Sequence, residues 1–295
     1  MRRRGDEEEQ EREEKWGTGG GGGGVGGGEE EERRRGMRRW MEDTQVGGGG
    51  IARFAHSGMA ASQKLQRCVV SQTGKHSASI IFLHGSGDTG LGLRAWVRDT
   101  FHLAFPHIRI IYPTAPARPY TPMRGAVSNV WFDRYKISRD CPEHLESVDA
   151  MCSTLGTILQ DEIQAGIPKH RIVIGGFSMG GAMALHLACR HHPEVGGVFA
   201  LSSFLNKDSV VYQAVEGHQG GPVPELFQCH GASDELVLHE WGEQTSALLR
   251  RAGMSVSFHT LPGLQHQLCA PELELLRAWL LRKLPPLDQH PDATH

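Results

Sequence analysis

From residue 66 onward, short apolar runs alternate with longer stretches in which apolar positions recur every three or four residues. The runs at 79–83, 108–112, 171–175, 198–201, 226–230 and 256–261 are brief, rich in β-branched side chains and bounded by turn residues, the pattern of buried strands. Between them, residues 144–165 carry Leu145, Val148, Met151, Leu155, Ile158, Leu159 and Ile163 at helical spacing, and 179–191, 237–252 and 271–283 repeat the pattern. A strand that is apolar throughout needs cover on both faces, and helices placed between successive strands supply it. The chain is therefore predicted to hold one α/β domain, a mostly parallel sheet with helices on both faces.

No such pattern exists before residue 59. The opening MRRRGDEEEQEREEKW is charge throughout, residues 19–28 are almost pure glycine, and a second charged block leads to Gly47–Gly50. Seventeen of the chain's 38 glycines fall within the first 58 of its 295 residues, with no G-X-Y period, so a collagen-like helix is excluded. Residues 1–58 are read as a disordered extension, 59–285 as the folded domain and 286–295 as a flexible tail.

Charge narrows the function classes. The 31 basic side chains face 34 acidic ones, for a net charge of −3, and the two signs are interspersed in both parts of the chain. No basic face for a nucleic acid is implied. No apolar run reaches the length of a membrane span. The six cysteines stand singly, without a C-x-x-C pair or an upstream secretory segment, which fits a reducing, cytoplasmic location.

Candidate chemistry centres on Gly176-Phe177-Ser178-Met179-Gly180, a G-x-S-x-G pattern. The predicted strand 171–175 runs straight into it and a helical segment follows, the context of a nucleophile elbow. A turn this sharp needs neighbours without bulk, and Gly175, Gly176, Gly180 and Gly181 provide that. A glycine-rich strand-to-helix turn with an incidental serine is the alternative. A serine nucleophile needs a base and a group that fixes the base's tautomer. In the order serine, acid, histidine, Asp234 follows the strand 226–230 and His266 follows the strand 256–261, both on the sheet edge where Ser178 emerges. Asp133 and Asp208 compete as acids, and His191, His192, His230 and His259 compete as bases. His230 is read as shaping the turn beside Gly231. The oxyanion of an acyl-transfer intermediate needs preorganised donors, and the backbone amides of Met179 and of Ser86, in the glycine-rich loop after the strand 79–83, are the candidates. A simple turn or a phosphate cradle are the other readings of that loop, the latter lacking the lysine and glycine spacing it needs.

Together these residues carry a likeness. His84-Gly85-x-Gly87-Asp88-Thr89-Gly90, Tyr112-Pro113-x-Ala115-Pro116, Trp131-Phe132-Asp133, Gly175-Gly176-Phe177-Ser178-x-Gly180-Gly181, Cys229-His230-Gly231-x-x-Asp234 and Gly263-x-x-His266 follow one another over about residues 66–285. In that order they resemble the acyl-protein thioesterase and lysophospholipase family of α/β-hydrolases. The resemblance implies the α/β-hydrolase fold and a serine hydrolase of acyl thioesters or esters, S-acylated proteins among its substrates, with no metal or organic cofactor. The family usually has leucine at the position of Ser86 and glutamine at that of Met179. Loss of that leucine removes apolar contact from the acyl site, and at about 0.8 kcal/mol per buried methylene this favours short acyl chains. Members near membranes carry a cysteine close to their start, whereas the first here is Cys68, which argues against a stable membrane anchor. A carboxylesterase or lysophospholipase without protein substrates, and a non-catalytic binding protein on the same fold, remain as alternatives.

Overall fold

A computed structural model describes residues 64–218 and 220–287. The expected disorder of residues 1–58, and residues 288–295 of the expected tail, lie outside the described residues. A seven-stranded sheet runs through the domain. In chain order its strands are β1 (Arg67–Val70), β2 (Ala78–Leu83), β3 (Ile108–Pro113), β6 (Ile172–Phe177), β7 (Gly197–Leu201), β8 (Leu226–Gly231) and β9 (Val256–Leu261). Their spatial order is β1-β3-β2-β6-β7-β8-β9, antiparallel only where β1 meets β3. A separate two-stranded ribbon joins β4 (Ala117–Tyr120) to β5 (Ala126–Asn129).

Among the described residues six α-helices cover the sheet: α1 (Gly90–Thr100), α2 (Leu145–Gln164), α3 (Met179–His191), α4 (Val210–Gly217), α5 (His239–Arg251) and α6 (Ala270–Lys283). The apolar runs explain the layering. Ile81, Leu83, Ile172, Ile174, Val198 and Ala200 pack toward α2, α3 and α4. Their neighbours Ile80, Phe82, Val173, Phe199 and Phe227 pack toward α1 and α6. Both sets alternate along the same strands, which is why those strands read as continuously apolar. At about 25 cal/mol per Å² of apolar surface, fully buried side chains such as Phe82, Phe199 and Trp279 each contribute about 2–3 kcal/mol relative to exposure.

The six predicted strands and four predicted helices are present, with boundaries moved by one or two residues. Arg171 belongs to a turn before β6 rather than to the strand, its Nε donating to the Ser77 carbonyl at 2.9 Å. The elements without a sequence prediction are short or masked by their composition. The helix α1 begins GLGL, because a Cβ at Gly90 would strike the Tyr112 carbonyl, and Thr89 Oγ1 caps it by accepting from Gly92 N at 3.0 Å. In α4 a β-branched start hides a helix of eight residues.

Candidate active site

The nucleophile candidate stands where β6 turns into α3. Ser178 has φ 53° and ψ −121°, a left-handed backbone that costs on the order of 1–3 kcal/mol for a residue with a Cβ. Neighbouring structure holds it there: Ser178 N donates to the Leu201 carbonyl at 2.8 Å, and Gly181 N donates to the Ser178 carbonyl at 3.0 Å. The sequence reading of the four glycines holds at each position. A Cβ on Gly175 would enter the Phe199 ring, one on Gly176 the Gly180 backbone, one on Gly180 the Leu83 and His84 carbonyls, and one on Gly181 the Ser203 side chain.

Parallel strands bring the partners to the same edge. Asp234 lies in the loop after β8 and His266 in the loop between β9 and α6. His266 Nδ1 donates to Asp234 Oδ2 at 2.7 Å, which leaves Nε2 unprotonated to accept from Ser178 Oγ at 3.0 Å. The other carboxylate oxygen, Oδ1, accepts from Leu236 N at 3.0 Å and Val237 N at 2.9 Å. Burial works against the charge of Asp234. It is outweighed by the His230 and His266 rings and the Val237 amide, which hold the carboxyl well below the usual carboxylate range.

The competitors lie elsewhere or serve the frame. Asp208 is exposed. Asp133 accepts from Thr121 N at 2.9 Å and Thr121 Oγ1 at 2.6 Å, fixing the turn after β4. His259 packs on Phe227 with ring centroids 5.1 Å apart. His230 does shape the turn, since its Nε2 donates to the Val237 carbonyl at 2.8 Å, and it also stands 3.6 Å from Asp234 Oδ2.

The loop after β2 is pressed against the candidate nucleophile. A Cβ on Gly85 would come within 3.4 Å of Ser178 Cβ. His84 organises this loop from below: Nδ1 donates to the Gly85 carbonyl at 2.6 Å, Nε2 accepts from Ala115 N at 3.0 Å, and the His84 carbonyl accepts from Trp131 Nε1 at 2.8 Å. Those two ring contacts require the neutral tautomer, and burial pushes the pKa of His84 down accordingly. Among the described residues, neither the Ser86 amide nor the Met179 amide hydrogen-bonds to another protein group. The two side chains that depart from the family pattern touch each other, Ser86 Oγ donating to Met179 Sδ at 3.6 Å.

The phospholipase/carboxylesterase family matches residues 65–283. The chain belongs to this family of α/β-hydrolases. It is similar to lysophospholipase-like protein 1 of Mus musculus, at 61% identity over 75% of this chain and 93% of the relative. Similarity to acyl-protein thioesterase 1 of Neurospora crassa is 32% over 77% of this chain and 95% of that one. Among solved structures, the Zea mays acyl-protein thioesterase 2 superposes with a TM-score of 0.67 at 30% identity, covering 74% of this chain and 99% of the other. A serine nucleophile needs a base whose ring is held in place. Here Phe177 packs on His266 with centroids 4.8 Å apart, and Trp96 packs edge-on against Phe177 at 5.1 Å.

Sequence reasoning had no role for Phe177, for the ring of His84, or for Glu272 behind the site. The first two lie inside the motifs quoted above, but their task depends on a ring two loops away. Glu272 sits in a helix start with no neighbour in sequence to mark it. Among the described residues, no three His, Cys, Asp or Glu side chains gather as a metal site, and no helix is long and apolar enough to cross a membrane.

Proposed function

We propose that this chain is a serine hydrolase that cleaves acyl thioesters or esters through an acyl-enzyme. The observation that carries this is the unbroken contact from Asp234 through His266 to Ser178, 2.7 Å and 3.0 Å, at a strained elbow. Ser178 Oγ attacks the acyl carbonyl carbon while His266 Nε2 takes its proton. The carbonyl electron pair moves onto oxygen, where the amides of Ser86 and Met179 stabilise it. Collapse expels the thiol or alcohol, which leaves with the proton from His266, and water repeats the sequence on the acyl-enzyme. Asp234 keeps Nδ1 protonated and balances the imidazolium charge. Every step uses groups of the chain, so no metal or organic cofactor is needed.

The relatives' names point to S-acylated proteins or lysophospholipids as substrates, and we include protein depalmitoylation within the proposal. A preference for short acyl groups is supported by Ser86 in place of an apolar side chain. Six free cysteines support a cytoplasmic, reducing setting. The balanced charge supports acyl substrates over nucleic acid.

Fluorophosphonate labelling and turnover of a p-nitrophenyl ester test the mechanism. Both should vanish in Ser178→Ala, and wild-type turnover by that variant refutes it. A series of esters and thioesters of rising chain length tests the substrate class. Rates that keep rising to palmitoyl would overturn the short-chain preference.

A further inference from the structure

In the acyl-transfer steps Ser86 contributes its backbone amide. Ser86 is exposed, and its hydroxyl donates at 3.6 Å to the thioether of Met179, the residue that supplies the other amide. A thioether is a weak acceptor, so this bond is given up at little cost when a charged oxygen arrives. Behind Ser86 stands Tyr120. Its side chain is fully buried, its hydroxyl has no well-formed hydrogen bond, and it faces the Ser86 side chain. An unpartnered phenol at this place is costly unless it turns its proton toward Ser86 Oγ. Once it does so, the Ser86 proton is left for an acceptor in the cleft. The loop is rigid enough to use it, since Gly85 abuts Ser178 and Gly87 N is tied to the Asn129 carbonyl at 2.9 Å.

We propose that the Ser86 hydroxyl, backed by Tyr120, is a third oxyanion donor in addition to the two backbone amides. The inference rests on the serine-hydrolase mechanism above. When Ser178 Oγ bonds to the acyl carbon and the carbonyl electron pair moves onto oxygen, the Ser86 O–H turns from Met179 Sδ to that oxygen. It donates a hydrogen bond and keeps its proton. When the intermediate collapses and the leaving group departs with the proton from His266, the hydroxyl returns to the sulfur.

The experiment compares Ser86→Ala, Ser86→Thr and Tyr120→Phe with the wild type on acetyl, butyryl and octanoyl p-nitrophenyl esters. It also measures affinity for a boronic acid that forms a tetrahedral adduct with Ser178. Ser86→Ala should lower kcat by about 10- to 100-fold with KM nearly unchanged, as expected for losing one hydrogen bond to a developing charge. Boronate affinity should fall by a similar factor. The loss should be the same for all three esters, Thr should restore most of it, and Tyr120→Phe should show a smaller fall in the same direction. Unchanged kcat and boronate affinity in Ser86→Ala overturn the proposal. So does a loss that grows with chain length, which would make Ser86 an acyl-pocket residue. Ser178→Ala run in parallel separates the two levels. If that variant keeps turning over, the whole mechanism falls and the third donor with it. If it is dead while Ser86→Ala is silent, only the third donor falls.

Discussion

Replacing Glu272 by glutamine should change the stability of this protein in a strongly pH-dependent way. Glu272 occupies the first turn of α6, three residues after the N-cap Cys269, where a glutamate often reaches back to the N-cap amide. Its side chain is fully buried and neither carboxyl oxygen makes a well-formed hydrogen bond. Burial raises its pKa from 4.5 to about 8, the Cys269 amide opposes that, and the charge of Asp234 adds to it. The folded protein therefore holds this proton more tightly than the unfolded chain does. Below the unfolded pKa both states are protonated and there is no penalty. As pH rises toward the folded pKa, the unfolded chain releases the proton freely while the folded one resists. Native stability then falls by about 1.4 kcal/mol per pH unit, on the order of 3 kcal/mol between pH 5 and pH 8. Glutamine is neutral throughout, so Glu272→Gln should be no more stable than wild type at pH 5 and more stable by roughly that amount at pH 8. Urea midpoints of both proteins at pH 5, 6, 7 and 8 give the difference directly, and contributions from Asp234 and other carboxylates cancel in it. A difference that stays flat over this range would refute the assignment of a buried neutral carboxyl.

Three further substitutions probe the site. Asp234→Asn keeps the shape but lets His266 take the wrong tautomer, so kcat should fall by about 10³- to 10⁴-fold with KM little changed; a fall below tenfold in ester turnover would remove Asp234 from its role. His230→Phe deletes the Nε2–H that donates to the Val237 carbonyl and lies 3.6 Å from Asp234 Oδ2. It should lower kcat by about tenfold, and an unchanged kcat would leave His230 a packing residue only. Gly180→Ala forces a Cβ onto the Leu83 and His84 carbonyls, both backbone atoms that cannot step aside. It should cost about 1–3 kcal/mol or more and lower Tm by several degrees, whereas Gly217→Ala, in open space, should not.

The contrast between what the sequence disclosed and what it concealed follows from the range of the interactions involved. The strands were legible because burial on both faces leaves an unbroken apolar run, and the elbow was legible because close approach of β6 and α3 leaves glycines within four residues of Ser178. Asp234 and His266 were legible only through topology: they lie 32 residues apart, and His266 lies 88 from Ser178. A parallel sheet delivers the carboxyl ends of its strands to one edge whatever the separation along the chain. Phe177 on His266, His84 beneath the loop after β2 and Glu272 behind Asp234 have no such rule. Each is a pairwise packing outcome between segments whose spacing encodes nothing about it, and in each the residue type alone fits an ordinary core or helix-start position. The same limit hid Ser202, fully buried with φ 47° at the end of β7, its backbone N donating to the Cys229 carbonyl at 2.9 Å. Strain at Ser178 is announced by its glycine neighbours. The bend at Ser202 falls where β7 ends between β6 and β8, with Ser202 N tied to the Cys229 carbonyl of β8, and only the assembled sheet records it. Ser178, the proposed nucleophile, is bonded to the residue just before this second strained position, through its backbone N and the Leu201 carbonyl. The elbow is thus braced by an adjoining bend as well as by its own turn, which explains how a backbone costing on the order of 1–3 kcal/mol is kept at the one residue whose hydroxyl must face the cleft.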